Sequence, residues 1–202
     1  MKKALIWIVF CLCPLSLRAF DFGGGGGGNG GLDPTTNATT SIDYAHHEIH
    51  EGDHYNVTGS STLAANAIVE FIVKTPNTTK WAHMTFDYQS TASVFTFVGY
   101  QNVTVSTTPS VVVTPSNNNG NYANSSGLQI WRSTGTGTTG DYLVGPFVIG
   151  VSGNAQGRVG GGSTHATEHV LKQNTWHVFR FTNGADAQTI NFRINWYEHA
   201  NR

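Results

Sequence analysis

Nine histidines stand in a chain of 202 residues, and four of them, His46, His47, His50 and His54, fall within nine consecutive positions. Imidazoles invite a metal reading, and the established helical pattern places two of them four residues apart on one face. Tyr44 to His50, however, reads as a strand, with His54 to Thr58 as its partner across Glu51-Gly52-Asp53. On a strand His46 and His50 share a face but sit about 13 Å apart at roughly 3.3 Å per residue. One ion cannot bridge that gap, and no matching ligand set appears elsewhere. No metal and no cofactor is therefore expected, and His46 and His50 count as candidate surface or interface residues.

The carboxylates give no firmer lead. Glu48, Glu51 and Asp53 cluster near the first turn, while Glu70, Asp87, Glu168 and Glu198 lie on separate expected strands. Almost any two could be assembled into a glycosidase pair, and that freedom is why none is assigned. Gly135-Thr136-Gly137-Thr138-Thr139-Gly140 matches GxGxxG, but a strand follows it instead of the helix whose N-terminus would hold a pyrophosphate. No GxSxG nucleophile elbow occurs. The expectation is a protein that is not an enzyme. Among the aromatics, Trp131, Trp176 and Tyr197 are candidate surface or interface positions, for subunit packing or for stacking on a sugar.

The elements that must position these groups read as strands throughout. From Ala187 to His199 the chain alternates Ile190, Phe192, Ile194 and Trp196 against Asn191, Arg193, Asn195 and Tyr197, the period of a half-buried strand. Ala67 to Lys74 sets Val69, Phe71 and Val73 on one face. Trp81 to Tyr88 does the same with Ala82, Met84, Phe86 and Tyr88. Ser93 to Tyr100, Val103 to Val105, Val111 to Val113, Leu128 to Arg132, Tyr142 to Ile149, Glu168 to Leu171 and Thr175 to Thr182 complete the series. No segment has the length and 3.6-residue period of a globular helix. Short strands at this spacing predict one antiparallel β-sandwich, jelly-roll-like, over residues 41–202. Two Gly/Asn-rich excursions, Ser116 to Gly127 and Ser152 to Ser163, are expected as surface loops.

Composition narrows the function. Charged residues make up 11% of the chain, against roughly a quarter in ordinary soluble domains. The net charge is -1 with no basic stripe, which argues against a nucleic-acid partner. Residues 1–19 read as a signal-peptide-like leader: Lys2 and Lys3, an apolar run from Ala4 to Leu12, then Leu17-Arg18-Ala19. The run is too short for a stable membrane span. Both cysteines lie inside it, so a chain cut after Ala19 has none and folds without disulfides. Residues 20–40 form a Gly-rich linker.

Six segments together resemble a family of uncharacterised bacteriophage and prophage virion-associated proteins. They are Asp43 to Gly52 (DYAHHEIHEG), Thr75 to Met84 (TPNTTKWAHM), Asn117-Asn118-Asn119, Gly160-Gly161-Gly162, Val170 to Thr175 (VLKQNT) and Asn195 to His199 (NWYEH). The resemblance implies a non-enzymatic β-sandwich on a virion surface, as a decoration, head-fibre or tail-associated subunit. It also implies a homo-oligomer with capsid or other virion proteins as partners. The leader departs from that pattern, since phage subunits assemble in the cytoplasm. A secreted, extracellular carbohydrate-binding module or cell-surface filament subunit, with a cell-surface glycan as partner, is the alternative.

Overall fold

The computed structural model describes residues 44–200 except 92–93, 107–108, 110, 123, 136–137, 151–158 and 163–167. The leader, the Gly-rich linker, both cysteines and most of the Ser152 to Ser163 excursion lie outside the described residues. So do two positions of the GxGxxG stretch.

The described residues open with a helix, α1 (Tyr44–Glu51), followed by β1 (His54–Leu63), β2 (Ile68–Lys74), β3 (Lys80–Ser90) and β4 (Phe95–Gln101). Three short strands come next: β5 (Val111–Val113), β6 (Ser116–Asn117) and β7 (Gln129–Ser133). Then follow β8 (Asp141–Ile149), β9 (Val159–Gly162), β10 (His169–Leu171), β11 (Trp176–Asn183) and β12 (Gln188–Ala200). All pairings are antiparallel. One sheet runs β10-β3-β12-β1-β6, with β9 also on β3, and the other runs β5-β7-β2-β11-β4-β8.

Stripped of the short insertions, the sheets are β10-β3-β12-β1 and β2-β11-β4-β8. Successive strands cross between the sheets, except β4 and β8, which pair within one, the interleaving of a jelly roll. The β-sandwich expected from the alternating pattern is what forms. β5, β6 and β7 all lie in the connection between β4 and β8, where they extend the edges of both sheets.

The core fills the space between the sheets with the inward-facing residues of each strand. Val69, Phe71 and Val73 of β2 meet Phe179 and Phe181 of β11 and Phe95 and Phe97 of β4. Across from them stand Met84 and Phe86 of β3 and Ile190, Phe192, Ile194 and Trp196 of β12. Phe71 and Phe192 touch across the sheets with ring centres 4.6 Å apart, and Phe86 and Phe179 do the same at 4.6 Å. Each such ring removes roughly 150–250 Å² from water, so these contacts dominate the hydrophobic stabilisation.

The second sheet is also covered on its outer face. Ile72 and Val178 are fully buried there with Val98, Tyr100 and Val103. The segment after β4 covers them, and the Val103 N–H donates to the Trp176 carbonyl at 3.2 Å. Val103 to Val105, expected as a strand, is therefore an irregular cover. Glu70 and Arg180 pair on this outer face, with Nε to Oε1 at 2.5 Å and the carboxylate wholly inaccessible.

Tyr44 to Glu51 corrects the strand reading, and with it the expectation that no helix occurs. Ala45 and Glu48 are the buried positions, three apart on one helical face. Gly52 ends the helix in the left-handed region at φ +78°. Its N–H donates to the Ile49 carbonyl at 3.2 Å, and the Asp53 N–H to the Glu48 carbonyl at 3.0 Å. Those two bonds define a Schellman cap. The Glu51-Gly52-Asp53 stretch is thus a helix stop, and β1 pairs with β12 instead of a hairpin neighbour.

Candidate functional site

Helix α1 packs against β12 and β1 and builds a polar cap over one end of the first sheet. Tyr197 lies beneath it. By strict alternation Tyr197 belongs to the outer, polar face of β12, yet it is only 6% exposed. Its ring stacks on His83 at 4.8 Å and meets Tyr44 at 5.7 Å. This corrects the expectation of Tyr197 as a surface residue: the helix covers the end of that face. Its hydroxyl donates to Glu168, whose Oε1 and Oε2 lie at 3.1 and 2.9 Å. Burial first, then this carboxylate, hold the phenol well above its ordinary ionisation range.

Glu168 also meets His83 Nδ1 at 2.9 Å. His83 Nε2 faces His199 Nε2 at 2.8 Å, and His199 Nδ1 lies 3.0 Å from the Ala200 carbonyl. Counting protons orders this chain. A carbonyl only accepts, so His199 holds a proton on Nδ1. A carboxylate also only accepts, so His83 Nδ1 donates to Glu168, and the contact between the two Nε2 atoms takes one further proton, on either ring.

In front of this chain lies a cleft of about 610 Å³ lined by Tyr44, His47, Glu51, Asp53, Lys80 and His199, among others. Lys80 Nζ reaches Asp53 Oδ2 at 2.6 Å. His47 Nδ1 is 3.5 Å from Glu48 Oε1, and its Nε2 is 3.9 Å from Glu51 Oε1. The cleft presents donors and acceptors of both signs, suited to holding a polar surface. No group of three or more His, Cys, Asp or Glu side chains arranged for a metal occurs among the described residues.

The cap is tied to the rest of the end by amides. Asn117 donates from its side chain to the Gly52 carbonyl at 2.7 Å, and the Asn118 N–H donates to the His54 carbonyl at 2.9 Å. Asn119 donates to the His50 carbonyl at 3.3 Å, one of the helix-end acceptors that lack an intrahelical partner. Glu198 is buried below and accepts from Trp196 Nε1 at 3.0 Å, Ser126 Oγ at 2.5 Å and the Gly127 N–H at 3.0 Å. On the far side Thr75 and Thr175 clasp one another: the Thr175 N–H donates to Thr75 Oγ1 at 2.9 Å.

The other candidates separate into two groups. His46 and His50 are both exposed, on the outer face of α1, with Nε2 atoms 3.0 Å apart. The separation of about 13 Å inferred from a strand does not apply, because a helix brings positions four apart together. Trp131 and Trp176 come together at 5.3 Å with an interplanar angle of 39°. Both are half-buried against the outer-face cluster, and the Lys74 ammonium lies 5.3 Å from the Trp176 ring centre. They read as packed cover more than as an open flat platform. Glu168, His83 and His199 were missed in sequence because they sit on three different elements. Only the pairing of β3 with both β10 and β12 aligns them.

No helix among the described residues is long and apolar enough to cross a membrane. Comparison of the chain with protein-family models, with curated proteins and with solved structures yields no match in any of the three.

Proposed function

We propose that this protein is a non-enzymatic structural or adhesive subunit of a virion surface, a decoration, head-fibre or tail-associated protein that works as a homo-oligomer. The observation that carries this reading is the convergence of five of the six segments behind the virion-family resemblance, Gly160-Gly161-Gly162 pairing instead with Asp87 to Gln89 of β3. Asp43 to Gly52, Thr75 to Met84, Asn117 to Asn119, Val170 to Thr175 and Asn195 to His199 are scattered over most of the chain. Within the described residues they are joined at one end of the sandwich by the Lys80–Asp53 pair, the asparagine bonds to α1, the Thr75–Thr175 clasp and the His83–His199 contact. Residue types chosen only for a generic sandwich would have no reason to gather there. A jelly roll is also a frequent architecture of capsid proteins, a likeness of architecture alone.

The test is density fractionation of the natively produced protein, with intact mass and N-terminal sequencing of each fraction. The expected result is a chain that sediments with particles. A chain starting near Phe20 in the soluble extracellular fraction would sink the virion reading in favour of a secreted module.

A further inference from the structure

We infer that His46 and His50 form a two-imidazole chelate for a divalent transition-metal ion of tetragonal preference, Cu(II) first and Ni(II) next. Both side chains are exposed on the outer face of α1, four residues apart. Their Nε2 atoms lie 3.0 Å apart and their ring centres 4.7 Å apart, with the ring planes inclined by 67°.

Those two distances constrain where the nitrogens point. A hydrogen bond running along both ring axes at this separation would hold the ring centres about 5.3 Å apart. The shorter observed spacing means that the contact is not collinear with both ring axes, which leaves room for an ion to one side of the pair. An ion about 2.0–2.1 Å from each nitrogen at a right angle requires nitrogens roughly 2.8–3.0 Å apart, whereas a tetrahedral angle requires about 3.3–3.4 Å. The observed 3.0 Å fits adjacent corners of a square. Tetragonal nitrogen and oxygen sites belong to Cu(II) and Ni(II), and the Irving–Williams order puts Cu(II) foremost.

No third protein ligand joins the pair among the described residues. Water completes the coordination, which suits an exposed chelate and does not suit a structural zinc site. The helix is held in register by its Gly52 cap and by Asn119, so the two rings are presented together before the ion arrives. The chelate is distinct from the cleft in front of His199 and does not depend on the virion reading.

The experiment is calorimetric titration of the untagged full-length chain with Cu(II) in a weakly competing glycine buffer, with electron paramagnetic resonance of the one-equivalent complex. The expected result is one tight Cu(II) per chain, with an axial spectrum split by two imidazole nitrogens. His46→Ala should weaken binding at least tenfold and remove one nitrogen from the splitting. His50→Ala should weaken binding equally. Equal affinity in the wild type and both variants, or a wild-type spectrum without two imidazole nitrogens, would overturn the assignment. The spectrum is read on the unaltered protein, so it decides even where a variant perturbs the helix.

Discussion

The Nε2 atoms of His83 and His199 face each other at 2.8 Å, joining strands β3 and β12 at the end where α1 closes over them. Such a contact needs one nitrogen to donate and the other to accept. Because His199 Nδ1 is committed to the Ala200 carbonyl at 3.0 Å, the structure demands a proton on His199 Nδ1. Two-bond ¹⁵N–¹H correlation spectra should show His199 and His83 each protonated at Nδ1. Either ring bare at Nδ1 would mean that the chain through His83 to Glu168 is not formed in solution.

Tyr197 and Tyr55 make the fold sensitive to alkali. Burial is the main cause in both, and both phenols are raised above the ordinary value of 10.0, Tyr55 further by Glu198 and Asp53. Above pH 10 the unfolded chain releases these protons while the native state keeps them, so stability is complete below pH 10 and is lost as pH rises beyond it. Urea midpoints should fall between pH 10 and 11, and Tyr197→Phe should flatten that fall. The same variant should cost about 1–3 kcal/mol at neutral pH, through the lost bond to a charged acceptor.

His177 sets the acid side. It is inaccessible in the core, its ring parallel to Phe179 at 6.5 Å, and neither ring nitrogen has a well-formed hydrogen-bond partner. Burial lowers its pKa from 6.5 to about 4; Lys74 and Lys172 add to the effect and the Thr175 backbone offsets part of it. Between pH 6.5 and about 4 the unfolded chain takes up a proton that the native state refuses, so stability falls as pH falls through that window. The shift corresponds to about 3 kcal/mol. Chemical denaturation of His177→Phe should show that share of the acid loss removed, and an unchanged pH slope would contradict the assignment.

Gly52 should tolerate no side chain. Its φ of +78° is strained for other residues, and an added Cβ would fall 2.6 Å from the Tyr122 ring. Gly52→Ala should cost about 1–3 kcal/mol in thermal or urea unfolding. The loss should be accompanied by faster amide exchange in α1.

Glu70 and Arg180 should behave as a buried pair. Glu70→Ala leaves the guanidinium uncompensated and should cost about 3–5 kcal/mol, whereas replacing both residues with methionine should be close to neutral. Urea denaturation of the single and double variants checks both values.

Sequence alone determined the sandwich. Period-two runs such as Ile190 to Trp196 and Val69 to Val73 specify which face is buried, because a one-residue slip would expose every apolar side chain. Helix α1 was not legible. Its eight residues carry only two buried positions, and short histidine-rich segments have no strong propensity in either direction. Tertiary structure decided it, through the Gly52 cap, the asparagines of a distant loop and the face of β12 that needed cover. The same contacts moved Tyr197 from the surface to the interior and drew His46 and His50 from an expected 13 Å or so to 3.0 Å, while the pairing of β2 with both β7 and β11 brought Trp131 against Trp176. Local pattern reports the period of a segment and hence its faces; what lies over a face is set by chain far away in sequence, which no local period records.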